Sequence, residues 1–191
     1  MYKRQNLDYE KKLTLPQAFL LTALSWLSIA IFGSLPFVFS DLSLSFTNAF
    51  FESMSGITTT GSTILTNLNE TPKAILLWRA MLQWLGGIGI IVMAITLMPI
   101  MNIGGMQLFV ISNTHTPEKI LPKSKEISIR LIVIYSSLTL VCAFFYKIFG
   151  MSFFDSIVHS MTTIATGGFS NYNESIGCLL YTSDAADDGY R

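Results

Sequence analysis

With 51% hydrophobic and only 13% charged residues among 191, and a mean hydropathy of +0.51, the chain has too little polar surface for a water-soluble domain of its length, which points to lipid as its solvent. Twelve Lys plus Arg balance twelve Asp plus Glu, so the net charge gives no reason to expect nucleic acid or an acidic substrate as a partner.

Residues 1–12 read as a short cytoplasmic segment. Leu13 to Ser40 then carries no formal charge and exceeds the roughly 20 residues needed to cross a bilayer. A helix is predicted over 14–38, with Pro16 in its first turn and Gly33 and Pro36 near the far end, where a helix loosens or stops. The stretch starts too late and runs too long for a cleaved signal peptide, and no small-residue cleavage pattern follows it, so it reads as a retained membrane helix.

Residues 48–63, NAFFESMSGITTTGST, come next. A short amphipathic segment runs into a Thr-Thr-Thr-Gly turn between two long uncharged stretches. This is the layout of a re-entrant pore loop, in which a half-length helix enters the membrane and a Gly-containing strand returns with its carbonyls facing an ion path. Asn48 reads as the helix N-cap. From it to the Thr run is about ten residues, or roughly 15 Å of helix, half the hydrocarbon core. The partially negative C-terminal end would face the cavity and stabilise a dehydrated cation. Gly tolerates the φ values that inward-turned carbonyls require. Taken alone, the stretch is equally readable as an ordinary outer loop, since Ser, Thr and Gly are common turn residues.

Ala80 to Pro117 is again free of formal charge and predicts a span over 74–101. Gly86, Gly87 and Gly89 on its outer half are assigned to close packing against the pore helix. Arg79 has two possible outlets, the interface or a pore-helix carboxylate with Glu52 as candidate, and the sequence does not choose between them. Residues 102–126 read as a cytoplasmic linker, and Arg130 and Lys147 bracket a third span over 127–149. Lys3, Arg4, Lys11 and Lys12 precede the first span, and Lys119, Lys123, Lys125 and Arg130 separate the second from the third. By the positive-inside rule both clusters are cytoplasmic, and both candidate loops enter from the outer side.

A second copy of the loop lies 107 residues on. Residues 45–63 laid over 152–170 without gaps match at Ser45/Ser152, Phe46/Phe153, Ser53/Ser160, Met54/Met161, Ile57/Ile164, Thr59/Thr166 and Gly61/Gly168. Asn48 and Asp155 also coincide, and Asp155 is read as the second N-cap. Duplication at matched depth and side favours pore loops over ordinary turns.

Asp155, His159 and Ser160 invite comparison with a catalytic trio, but Asp155 already has a capping role, Glu52 occupies the place of His159 in the first copy, and no nucleophile elbow is present. An interfacial polar face accounts for all three. His115 and His159 are the only histidines, and no cluster has metal-site spacing. The expectation is no enzyme and no cofactor. Cys142 falls in a span and Cys178 in the tail, so no disulfide is expected.

AFFESMSGITTTGST at 49–63, LLWRAMLQWLGGIGIIVMAITLMPI at 76–100, GGMQLF at 104–109 and HSMTTIATGGFS at 159–170 resemble the Trk/Ktr/HKT superfamily of potassium transporters, most closely the Trk-type membrane subunit, from about Leu13 to Gly177. The resemblance implies an all-α membrane protein built of tandem helix, re-entrant pore loop and helix units, four around a pseudo-fourfold axis. One complete unit (13–101) and one partial unit (127–177) are present. By position, it makes Gly61 and Gly168 the filter glycines, with Thr58, Thr59, Thr60, Ala165, Thr166 and Gly167 lining the adjacent path. Glycine at the first filter position goes with potassium preference in the family, and serine there with sodium permeation.

The resemblance further implies potassium uptake across a bacterial inner membrane, with the ion as substrate, and a homodimer with a cytosolic nucleotide-binding regulatory subunit. The tail at 178–191, CLLYTSDAADDGYR, departs from the family pattern, since Asp184, Asp187 and Asp188 rule out a span. It reads as translated adapter sequence and the chain as a fragment, a natural frayed tail being the alternative. Two other readings stand beside this one: a two-unit protein that oligomerises into a cation pore, and a non-conducting membrane interaction protein.

Overall fold

Five α-helices and one short 3-10 turn make up the described part of this computed structural model, which comprises residues 15–101 and 120–175. They are α1 (Leu15–Val38), α2 (Phe46–Ile57), the 3-10 turn Leu68–Glu70, α3 (Lys73–Met101), α4 (Ile120–Ile148) and α5 (Phe153–Ile164). The segment 1–12, most of the linker 102–126, GGMQLF and the tail 178–191 lie outside the described residues.

Among the described residues, three helices are long and apolar enough to cross a membrane: Pro16–Val38, Lys73–Ala94 and Glu126–Ile148. Their outer faces fit a lipid solvent, with Phe32, Leu140 and Phe144 all more than 60% exposed. The first two helices match the predicted 14–38 and 74–101 to within a residue. The third span, Glu126–Ile148, also matches the predicted 127–149 to within a residue, and its helix begins earlier, at Ile120, because charged residues mark where the hydrocarbon ends but do not stop a helix. Exposed Arg130 and Glu126 even pair across one turn, at 2.5 Å.

The two 12-residue helices α2 and α5, each about 18 Å long, are too short to span and are held between the longer ones. Here the predicted caps are corrected. Ser45 and Ser152 are the N-caps, their hydroxyls accepting from the Asn48 and Asp155 amides at 3.3 and 3.1 Å. Asn48 and Asp155 instead occupy the third helical position. The Ser152 hydroxyl also donates to the Asp155 carboxylate at 2.6 Å, so the cap is held from both its backbone and its side-chain partner.

α3 is the hub. It packs against α1, α2, α4 and α5, and its glycines allow this. A Cβ at Gly86 would come within 1.9 Å of the Ile57 carbonyl oxygen, and one at Gly87 within 2.5 Å of the Tyr135 hydroxyl and 3.3 Å of Ala165. Two of the three glycines thus seat the ends of the two short helices. Gly89 differs from expectation, facing Trp26 of α1 at an ordinary 3.7 Å.

Candidate functional site: two matched re-entrant loops

The duplication read from sequence is conformational. At the end of α2, Thr59 N–H donates to Gly56 O (2.9 Å) and Thr60 N–H to Ser55 O (3.0 Å). At the end of α5, Thr166 N–H donates to Thr163 O (2.9 Å) and Gly167 N–H to Thr162 O (2.9 Å). Each is a Schellman motif, which requires a left-handed residue just past the cap. Thr59 and Thr166 fill that place, both at φ 55°. Two residues on, Gly61 and Gly168 are left-handed again, at φ 81° and 77°, so both loops turn at the same two points.

Threonine is an unusual choice for a left-handed position, since its branched Cβ crowds the backbone there. Thr59→Gly and Thr166→Gly are therefore expected to raise the thermal stability of the purified protein by about 1 kcal/mol each, after allowing for the entropy glycine loses on folding. An unchanged or lowered melting temperature would show that the threonine hydroxyls hold more than the turn.

The strands after the glycines are tied back to their own short helices at equivalent positions. In the first copy Glu52 accepts from the Thr63 hydroxyl (2.9 Å) and the Ile64 amide (3.0 Å). In the second, His159 Nε2 meets the Ser170 hydroxyl at 3.3 Å. His159 Nδ1 lies 3.0 Å from the Asp155 carbonyl oxygen, which can only accept, so Nδ1 carries the proton and Nε2 accepts from Ser170. Burial holds the His159 pKa below its ordinary value, in keeping with a neutral ring.

Asp155, His159 and Ser160 form no catalytic relay. The Asp155 carboxylate takes bonds from Ser152, from Asn171 (2.7 Å) and from Tyr172 (3.0 Å). Burial pushes this carboxyl up, but those bonds outweigh it and leave the pKa below the usual carboxylate range. Ser160 bonds to the Ile157 carbonyl at 2.8 Å. All three residues are buried, so the polar face predicted to be interfacial is turned inward, where its partners are.

The two loops lie edge to edge. A Cβ built on Gly61 would sit 1.9 Å from the Gly167 carbonyl oxygen. Farther out, the Leu68 amide donates to Asn173 Oδ1 at 2.9 Å. Of the eight residues singled out in the sequence, Thr58, Thr60, Thr166 and Gly168 are exposed, Thr59 and Gly61 are half-buried, and Ala165 and Gly167 are buried. The Thr58 hydroxyl reaches Thr60 Oγ1 at 2.8 Å and donates to Met54 O at 2.8 Å, bracing the strand from the side.

α3 supplies two polar side chains one turn apart. Arg79, 1% exposed, pairs with fully buried Glu52 at 2.7 Å, which settles the choice the sequence left open. It also donates to Thr63 Oγ1 (3.0 Å) and Ser170 O (3.2 Å) and stacks 4.1 Å from the centre of the Phe169 ring. Gln83 was not singled out by sequence reasoning. Its buried amide donates to Gly167 O at 2.9 Å and accepts from the Phe169 amide at 3.3 Å. A polar pair at i and i+4 in an otherwise apolar stretch was the available signal.

Comparison with known proteins converges on one group. Residues 2–180 match the TrkH family, described as a cation transport protein. The potassium uptake protein TrkI of Halomonas elongata is 48% identical over 161 residues, covering 84% of this chain and 33% of that protein. TrkH of Vibrio parahaemolyticus is 45% identical over 175 residues, covering 90% and 36%. The crystal structure of the potassium transporter TrkH from Vibrio parahaemolyticus superposes with a TM-score of 0.74 at 41% identity, over 91% of this chain and 34% of that one. The chain spans about a third of the length of these relatives. With nearly all its residues inside the family match, it belongs to the TrkH family of cation transport proteins.

Proposed function

We propose that this chain provides the first unit and part of the second unit of a potassium uptake transporter, and that Gly61 and Gly168 with their neighbours contribute main-chain oxygens to its selectivity filter. The observation that carries the reading is the juxtaposition of two loops with the same left-handed turns, Thr59 and Gly61 in one and Thr166 and Gly168 in the other, close enough for Gly61 to abut Gly167. Oxygens presented at matched height by adjacent strands are what a filter needs in order to replace an ion's hydration shell. Potassium is named because both curated relatives and the solved structure carry that ion in their descriptions. Gly61 agrees with potassium preference.

The transporter lies in a bacterial inner membrane as a multi-pass protein with a cytoplasmic N-terminus, the orientation favoured by Lys3, Arg4, Lys11 and Lys12. It works as a homodimer with a cytosolic nucleotide-binding regulatory subunit and needs no cofactor beyond the ion it carries.

Gly168→Ala tests the filter role. Among the described residues no atom beyond its chain neighbours lies within 4 Å of a Cβ at this position, so within this segment the substitution acts through backbone strain at φ 77°. In a full-length transporter carrying this segment, the expected result is normal membrane abundance with a roughly tenfold loss of potassium over sodium discrimination, for strain of about 1–2 kcal/mol. Unchanged ion preference would remove Gly168 from the filter.

A further inference from the structure

Gln83, like Arg79, belongs to the span of the first unit and yet holds the loop of the second, but it does so at the glycine peptides themselves. Its side chain is fully buried, and both ends of its amide are used on main-chain atoms either side of Gly168. Nε2 donates to Gly167 O at 2.9 Å, and Oε1 accepts from Phe169 N–H at 3.3 Å. A side-chain amide offers one acceptor and two donors in one plane. A residue that grips a carbonyl and the amide two positions later sets the orientation of the peptides between them. Space around it is tight as well, since a Cβ on Gly167 would overlap the Gln83 amide at 2.3 to 2.7 Å.

The same contact reaches the first loop. The Gly167 oxygen that Gln83 holds is the atom abutting Gly61, and Gln83 Nε2 lies 3.7 Å from where a Gly61 Cβ would be. Three backbone elements thus meet at one amide: the first loop, the second loop and α3.

We infer that Gln83 is a positioning residue for ion selectivity: its side-chain amide fixes the direction of the Gly167 carbonyl and the conformation of Gly168, and so sets the spacing between the first and second filter strands. The inference rests on the filter reading proposed above. If Gln83 served only to fill the core, an apolar side chain of similar length would keep selectivity intact. If it orients the strand, selectivity falls while the protein still folds, because a lost buried hydrogen bond frees the carbonyl to turn.

The test uses a full-length transporter carrying this segment, expressed in potassium-starved cells that lack their own uptake systems. Membrane abundance is measured alongside uptake of potassium in competition with sodium. Gln83→Met keeps the length of the side chain and removes both bonds. The expected result is near-normal abundance with discrimination reduced roughly tenfold, in line with the loss of one to two buried hydrogen bonds. Gln83→Asn keeps an amide but withdraws it by one methylene, and carries the same expectation if the methionine variant does not accumulate.

Wild-type discrimination in whichever variant accumulates would overturn the inference. Failure of both to accumulate would also overturn it, by showing that the side chain serves folding. Gly168→Ala run in parallel separates the two readings. A loss there with none at Gln83 removes only the positioning role, whereas no loss at either removes the filter assignment itself.

Discussion

Gly61→Ser is expected to cost the transporter most of its preference for potassium over sodium. The effect has two sources. A non-glycine residue at φ 81° carries strain of about 1–2 kcal/mol. More seriously, its Cβ would lie 1.9 Å from the Gly167 carbonyl oxygen, and since that oxygen is main chain, relief requires moving the neighbouring strand. Both loops are then displaced by one substitution. Discrimination should fall by more than the roughly tenfold that 1–2 kcal/mol of strain alone would give, measured as competitive uptake at matched membrane abundance. Gly61→Ala should be nearly as damaging as Gly61→Ser, because the Cβ and not the hydroxyl makes the contact. Full potassium preference in the alanine variant would show that the strand can move without consequence, against the assignment.

The second large effect is expected at Arg79 and Glu52. This pair is buried on both sides and holds three backbone elements: the strand after Gly61 through Thr63 and Ile64, the strand after Gly168 through Ser170, and α3 itself. Arg79→Met leaves the Glu52 carboxylate with its two loop bonds but without a counter-charge, a change that costs about 3–5 kcal/mol in a buried site. Abundance of the folded protein should fall sharply. Arg79→Met combined with Glu52→Gln removes the uncompensated charge and is expected to recover most of the abundance, since the amide can still accept from Thr63 or Ile64. It should not recover potassium selectivity, because the tie to Ser170 stays lost. Recovery of both properties would reduce the pair to a folding element. A single Arg79→Met variant as abundant as the parent would mean that water or lipid headgroups reach Glu52.

The parts of the fold that could be read from sequence are those set by local pattern. Uncharged length marked the spans, and the offset of 107 residues aligned two loops whose backbones turn at the same places. The capping residues were misplaced by three positions because Asn and Asp are good caps in isolation. The Ser-x-x-Asp spacing at Ser152 and Asp155 was the better signal, since a serine followed three residues later by an acidic side chain marks a helix N-terminus. The third span was placed to within a residue, but the helical turns that α4 adds before it, from Ile120, were not foreseen, since only the apolar stretch was read.

What the sequence could not supply was contact across distance. The Arg79 to Glu52 bond joins residues 27 apart, which left its alternatives open. Gln83 reaches backbone atoms 84 and 86 residues away, and no side-chain pattern reveals a main-chain partner. The polar face of α5 was recognised but placed at the interface, because its partners Asn171 and Tyr172 come from the strand that folds back over it.

Arg79, Gln83, Gly86 and Gly87 run down one side of α3 and touch, in that order, the returning strands, the glycine peptides and the ends of the two short helices. One rigid rod therefore acts as a common ruler for both loops. Sliding it by even an ångström would stretch bonds near 2.9 Å on two strands at once and detune them together, because hydrogen bonds weaken quickly beyond their preferred length.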